Sequence, residues 1–354
     1  MGRIIGFIVV LVLVVAGAGY FLVPPVASRS QTVEIERPAA TVLARLASTP
    51  ANTVITDGVT VSGPATAEGD TVTAPVTFAD GAQGRVVYTV TPAGDGARVQ
   101  VKLEQDLGSN PLDRFQIITG GDVAPLIEAA ATSVSADLGA LPNATFDGLL
   151  YVVEQVEARP FFYVENCSST EPESITSIIN QAAQAIPALM RANGLQQAGP
   201  LMAVEPQVVN NRYCYNIGYP FTGRAPRGDL LTGAAGQTPA GQVLRMRYTG
   251  TEADVMAQVY DRMDALLGAA HLDNPATRED DWITYEVYHD DPTQPGGSRN
   301  RDIYYVVPQG VDINRVTSIA PPAQALPADA AATPAAADSA TPAPATPAPA
   351  PATP

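Results

Sequence analysis

Residues 242–267 read QVLRMRYTGTEADVMAQVYDRMDALL, and this stretch decides the fold of the longer half of the chain. Gln242 to Tyr248 reads as a strand. Thr251-Glu252-Ala253-Asp254 then starts a helix, with Thr at the cap and an acid three residues later to satisfy free amide N–H groups. Val255, Val259, Met263, Leu266 and Leu267 give that helix one apolar side. Strands Trp282–His289 and Asp302–Val307 follow. The same order occurs upstream. Arg159–Glu165 is a strand, and Thr170-Glu171-Pro172-Glu173 caps a helix carrying Ile175, Ile178, Ile179, Ala182, Ile186 and Leu189. That helix stops near Gly194, and strands Pro200–Val209 and Arg212–Tyr219 come next. Two strand–helix–strand–strand passages, with the echo TEPESI against TEADVM, imply an internal duplication.

Upstream, residues 31–145 form a separate stretch with an α+β order. A strand at Thr32–Glu36 precedes a short helix, Ala39–Ala47. Strands follow at Thr53–Ile55, Val59–Val61, Thr71–Phe78, Arg85–Thr91 and Ala97–Glu104, punctuated by Gly, Asp and Pro as in antiparallel hairpins. Val123, Leu126, Ile127, Ala130, Val134, Leu138 and Leu141 then recur at helical spacing, so a long helix closes the stretch. The expected plan is a curved antiparallel sheet gripping that helix. The break between the two stretches falls near Leu141-Pro142-Asn143-Ala144.

The ends are simpler. After a three-residue tail, residues 4–23 read IIGFIVVLVLVVAGAGYFLV without a charge. Twenty residues span about 30 Å, the thickness of a bilayer's hydrocarbon core. Ala16-Gly17-Ala18 offers a cleavage site, but the apolar run continues past it, which favours a single-pass anchor over a removed signal. The short basic start before a long apolar run places the body outside an inner membrane, in the periplasm. From about Ser318 to Pro354 the chain is mostly Pro, Ala and Thr, and a disordered tail is expected.

Charge excludes one class of partner. The formal net charge is −16, Lys102 is the sole lysine, and no Lys/Arg cluster offers a phosphate-binding surface, so nucleic acid is not a partner. The acidity serves solubility first. No elbow, P-loop or dinucleotide pattern indicates a cofactor. Cys167 and Cys214 form no metal-binding pair with His271 or His289. A disulfide between them is open to an exported chain, although sequence cannot bring their Cα atoms together. Glu279-Asp280-Asp281 and Asp290-Asp291 lack the ordered spacing of a calcium loop.

Glu286 is the residue with chemistry to offer. By strand alternation Trp282, Thr284, Glu286 and Tyr288 share one face, which sets a carboxylate among aromatic rings. That arrangement suits a flat cationic ligand held by charge and by ring faces. The competing reading is an ordinary ion pair with Arg299 or Arg301. Eleven of thirteen tyrosines fall after residue 150, and Tyr163, Tyr215 and Tyr248 join Glu286, Trp282 and Tyr288 as candidate ligand-binding residues.

VEIERPAATVLARLAS (33–48) and the helix after NPLDRFQIITGG (110–121) resemble the START-like, polyketide-cyclase-type family. That resemblance implies a helix-grip domain with an apolar cavity, although few aromatic residues (Phe78, Tyr88, Phe115) are present to line it. LMRANGLQQAGP (189–200), RYTGTEADVMAQVYDRMDALL (247–267) and TYEVYHDDP (284–292) with RDIYYVVP (301–308) resemble the GyrI-like effector-binding family over residues 150–308. The resemblance implies a small-molecule cleft between two halves, with Glu286 touching the ligand. No DNA-binding domain accompanies it, so gene regulation is not implied. Some members of that family are hydrolases, which implies a rival role for Glu286 as acid/base with Tyr163 or Tyr215. A closed cleft with Glu286 about 3 Å from a tyrosine hydroxyl favours chemistry. An open aromatic cleft favours binding, and a filled one a scaffold.

Overall fold

A computed structural model describes residues 25–108, 124–209, 212–224, 233–272, 282–290 and 299–326. Strands β1 (Val26–Ile35), β2 (Val54–Thr56), β3 (Val59–Val61), β4 (Thr66–Glu68), β5 (Thr71–Phe78), β6 (Gln83–Ala93) and β7 (Gly96–Asp106) build the first sheet. Its order is β1-β7-β6-β5-β3-β2, with β4 on β5, and every pairing is antiparallel. Ala97, Val99, Val101 and Leu103 alternate along β7 and are buried, as a sheet with one covered face requires. Helices α1 (Ala39–Ala47) and α2 (Ala124–Gly139) supply the cover. Val42 and Leu46 from α1 join Ile127, Ala130, Val134 and Leu138 from α2 in one core with Phe78 and Tyr88.

The second sheet carries β8 (Val152–Val156), β9 (Pro160–Ser168), β10 (Gln196–Gln197), β11 (Leu201–Val209), β12 (Arg212–Thr222), β13 (Ala234–Gln237), β14 (Gly241–Gly250), β15 (Ile283–Tyr288) and β16 (Arg299–Val306). Its order is β13-β9-β12-β11-β15-β16-β14-β8, with β10 on β12. The duplication is visible in this order. β9-β12-β11 in one half matches β14-β16-β15 in the other, and β11 meets β15 antiparallel at the centre. The first half's helix is α3 (Pro172–Ala192). The second half's is split into α4 (Glu252–Val255), a π turn (Met256–Tyr260) and α5 (Asp261–Ala269). α3 and α5 each cover a core on the same side of the sheet, and α3 touches α4.

Several expectations change. The capping boxes do not form. Glu171 takes the cap of α3 with Pro172 behind it, which leaves Thr170 outside the helix. Thr251 caps α4, but its hydroxyl donates to Asp254 Oδ2 (2.7 Å) rather than accepting a backbone N–H. The tail is ordered further than its composition suggests. Helix α6 (Asn314–Thr317) leads into Ile319 and Ala320, which pack on the second core, and Leu326 is buried. The Ala323 N–H donates to Tyr151 O (2.8 Å), the Tyr151 hydroxyl donates to Ala320 O, and the Ile319 and Ala320 N–H groups donate to Val316 O, so apolar packing and these bonds together hold residues 318–326. The expected membrane helix, residues 4–23, and the tail after Leu326 lie outside the described residues. Among the described residues no helix is long and apolar enough to cross a membrane. Cys167 and Cys214 stand opposite each other in the β9–β12 register and are joined by a disulfide.

The modules meet at Arg45 on α1. Its Nη2 lies 2.6 Å from Asp137 Oδ1 of α2, and its Nη1 donates to Gly268 O of α5 (2.6 Å). His271, just past α5, has its Nε2 2.8 Å from Arg45 O. Burial, reinforced by the Arg45 charge, lowers the His271 pKa from 6.5 to about 4. A neutral ring is therefore built into the junction. Because the unfolded chain binds this proton more readily, stability contributed here is present above pH 6.5 and is lost as pH falls toward 4, by at most about 3 kcal/mol. Urea unfolding at pH 7 and pH 4.5 is expected to show this fall in the native chain and a smaller one in His271→Gln. Equal slopes in both would remove His271 from the account.

Candidate functional site

Strand register assembles the site. Tyr248 of β14 pairs with Arg301 of β16, which pairs with Tyr288 of β15, so three side chains form one row across three strands. Glu286 stands one alternation along β15 from Tyr288, opposite Ile303 and Ala203. Arg301 is fully buried, with its guanidinium carbon 5.4 Å from the Tyr248 ring centre and 5.5 Å from that of Tyr288. Those distances are within cation–π range. Its Nη1 donates to Glu286 Oε2 (2.9 Å), Glu252 Oε2 (2.7 Å) and Tyr288 Oη (3.2 Å). Glu252 is the first residue of α4, so the second half's helix closes over the row.

Both Glu286 oxygens are engaged. The Tyr288 hydroxyl donates to Oε2 (2.6 Å) and the Tyr260 hydroxyl to Oε1 (2.7 Å). Tyr260 ends the π turn, where an extra residue in the helical ring changes the direction of the side chains that follow. Burial, then the Glu286 charge, raises the pKa of Tyr260 and Tyr288 well above the usual phenol range, which keeps both as proton donors. Tyr215 of β12, raised by burial and then by the Glu286 and Glu252 charges, packs against the core under α3 with its ring 6.4 Å from that of Tyr213. For Arg301, burial acts to lower the pKa, but Glu286, Tyr288 and Glu252 outweigh it and the net shift is upward. The group stays a cation. Its Nε and Nη2 are buried and have no hydrogen-bond partner among the described residues.

Of the six expected site residues, three meet here: Glu286, Tyr288 and Tyr248, while Tyr215 lies in the neighbouring core under α3. Trp282 lies in the adjoining core, edge-on to Tyr305 (6.5 Å), with its indole N–H to Leu272 O (3.3 Å). Tyr163 does not join them. It points to the opposite face of the sheet, stacked on Phe161 at 5.5 Å. Strand alternation sends Phe162 to the helix side and Tyr163 away from it. That opposite face holds a second charge set. Asp302 lies between Arg247 (Nη2, 2.8 Å), Arg245 (Nη1, 3.4 Å) and His289 (Nε2, 2.8 Å), beside the stacked pair Tyr285–Tyr304.

A groove of about 470 Å³ opens beside the row, lined by Met246, Tyr248, Gly250, Asp254, Gln258 and Arg262 among others. Gly250 has a steric reason. A Cβ there would lie 2.3 Å from Tyr248 Oη, and its absence lets that hydroxyl reach Thr251 O (3.0 Å). Tyr248 therefore borders both the groove and Arg301. Arg299 has no described side chain, and Arg301 fills the ion-pair role considered for either residue. The acidic stretch 279–281 and Asp291 lie outside the described residues. Among described residues Glu165, Cys167 and Cys214 come together, but the two cysteines are bonded to each other and cannot hold a metal. The residues that sequence reading missed as part of a site were Tyr260, Glu252 and Arg301 in its central position. The alternation Arg301, Ile303, Tyr305 was the available signal for Arg301.

No protein-family model and no curated protein matches the chain. Among solved structures it is similar to SAV2435 bound to tetraphenylphosphonium, at 12% identity over 45% of this chain and 94% of that one, with a TM-score of 0.32. It is similar to a hydrolase encoded by lin2189 from Listeria innocua, at 11% identity over 46% and 95%, with a TM-score of 0.31. It is also similar to the di-domain ARO/CYC BexL from the BE-7585A biosynthetic pathway, at 11% identity over 82% and 92%, with a TM-score of 0.25. These are coarse likenesses.

Proposed function

We propose that the second module binds an aromatic small molecule at the tyrosine row, reached through the groove beside Tyr248. The observation that carries this is a buried guanidinium whose Nε and Nη2 have no partner among the described residues, set between tyrosine rings. A purely structural core would satisfy such donors or replace them with apolar groups. Glu286 acts in this reading by holding Arg301 and two hydroxyls in place. A melting experiment on the full-length chain with coumarin and tetraphenylphosphonium tests it. At least one probe should raise the melting temperature, by the equivalent of about 2.7 kcal/mol at a hundredfold excess over Kd, and less so in Glu286→Gln. No shift with either probe, or equal shifts in both proteins, contradicts it.

Hydrolysis is the second reading, favoured by Glu286 lying 2.6–2.7 Å from two tyrosine hydroxyls. Glu286 would take a proton from water as the water oxygen adds to the substrate carbonyl carbon, a tyrosine hydroxyl would donate to the carbonyl oxygen, and the acyl C–O bond would then break with the Glu286 proton passing to the leaving oxygen. Both Glu286 oxygens are already bonded, which weighs against it. Chromatography of the same coumarin incubation separates the readings: lactone opening lost in Glu286→Gln supports hydrolysis, and unchanged coumarin rejects it.

We propose also that residues 4–23 anchor the chain in a membrane with both modules outside the cytoplasm. The uncharged apolar run and the Cys167–Cys214 bond, which an oxidising compartment maintains, support this. Carbonate-resistant membrane association and the absence of free thiols in unreduced cell extracts are expected. A soluble protein with alkylatable cysteines would contradict the placement.

A further inference from the structure

Arginine presents its donors in a rigid planar fork. In Arg301 one end of the fork is spent: Nη1 serves Glu286, Glu252 and the Tyr288 hydroxyl. The Nε–H and an Nη2–H point side by side along another edge, the pair that grips one or two acceptor oxygens. Both nitrogens are buried without a partner among the described residues. Leaving buried donors unmade is costly, and more so on a charged group, so this edge is suited to an acceptor.

Charge narrows what the acceptor can be. Glu286 and Glu252 bring two negative charges to one guanidinium. An anionic ligand would bury a further uncompensated charge. A cationic ligand would be drawn by the excess carboxylate but has no lone pair to offer the Nε/Nη2 edge, where it would meet the Arg301 charge instead. A neutral oxygen meets neither penalty. The rings of Tyr248 and Tyr288 already lie against the guanidinium, and Tyr248 also borders the groove, so a flat ligand entering there meets an aromatic edge.

We infer that Arg301 is the specificity-determining residue of this site. Its Nε/Nη2 edge receives a carbonyl, lactone or amide oxygen on a neutral, flat aromatic ligand. This rests on the reading that the module binds a small molecule, and it reverses the cationic preference that Glu286 suggests in the sequence. Arg301 occupies the place beside the carboxylate that a ligand cation would take.

Calorimetric titration of the full-length chain with coumarin, benzoate and tetraphenylphosphonium tests this, alongside Arg301→Lys, which keeps the charge and removes the fork. Coumarin should bind more tightly than either ion and should lose at least about tenfold in affinity in Arg301→Lys. Unchanged coumarin affinity in that variant overturns the inference. So does binding of tetraphenylphosphonium or benzoate in preference to coumarin, which leaves small-molecule binding standing. Binding of none of the three contradicts the underlying reading as well. Should Arg301→Lys fail to fold, the Arg301 Nε–H resonance in 15N-labelled native protein decides. It should move on adding coumarin, whereas an unmoved signal, as an edge already satisfied by water would give, overturns the inference.

Discussion

The second module depends on one buried cation. Removing a guanidinium from water costs several kcal/mol, and only close partners make that tolerable. Glu286 and Glu252 supply opposite charge, and Tyr248 and Tyr288 supply ring faces. These partners come from β14, α4 and β15, with Arg301 itself on β16. A slip of one residue in either pairing of β16 would turn Arg301 to the other face and bring Asp302 to the helix side. The ion pair therefore ties the correct register to the closure of the second half's helix, while two Arg301 donors find no partner among the described residues.

Much of this plan was readable from the sequence. The repeated strand–helix–strand–strand order predicted the matched halves, because hydrophobic period and turn residues are local signals. The same locality fixed α1 at Ala39–Ala47 and placed Glu286 on a strand among tyrosines. What was not readable is lateral. Alternation shows that Glu286 and Tyr288 share a face, but not that Arg301 lies beside Tyr288 in the next strand. Tyr163 was expected beside Glu286 but lies on the opposite face, because its strand's outward face could not be told from its helix-covered face. The π turn was hidden because Val255, Val259 and Met263 fit an ordinary helical period across it. Composition misled at the tail, where Ile319 and Leu326 were enough to hold a short segment against the core.

Apart from Arg45, the buried charge among the first module's described residues is Glu104, paired with Arg85 and Lys102, whose cations stay partly exposed. The module's core is apolar and shared by the sheet and two helices, and its connection to the second module is polar. Arg45 bonds both to its own module's long helix and to the carbonyl end of α5, and the His271 ring completes that junction. The arrangement fixes one side of the second module's helix α5, which follows directly from the π turn that aims Tyr260 at Glu286. Docking of the modules and the shape of the site are thus mechanically adjacent.

The direct test of this account is a double-mutant cycle between Glu286→Gln and Arg301→Met, read by urea unfolding of the full-length chain. A buried, hydrogen-bonded pair at the centre of the module predicts strong coupling, with the double variant less destabilised than the sum of the singles by about 2 kcal/mol or more. Additive effects within about 0.5 kcal/mol would show that the two residues do not depend on each other, and would contradict the claim that this cation organises the site.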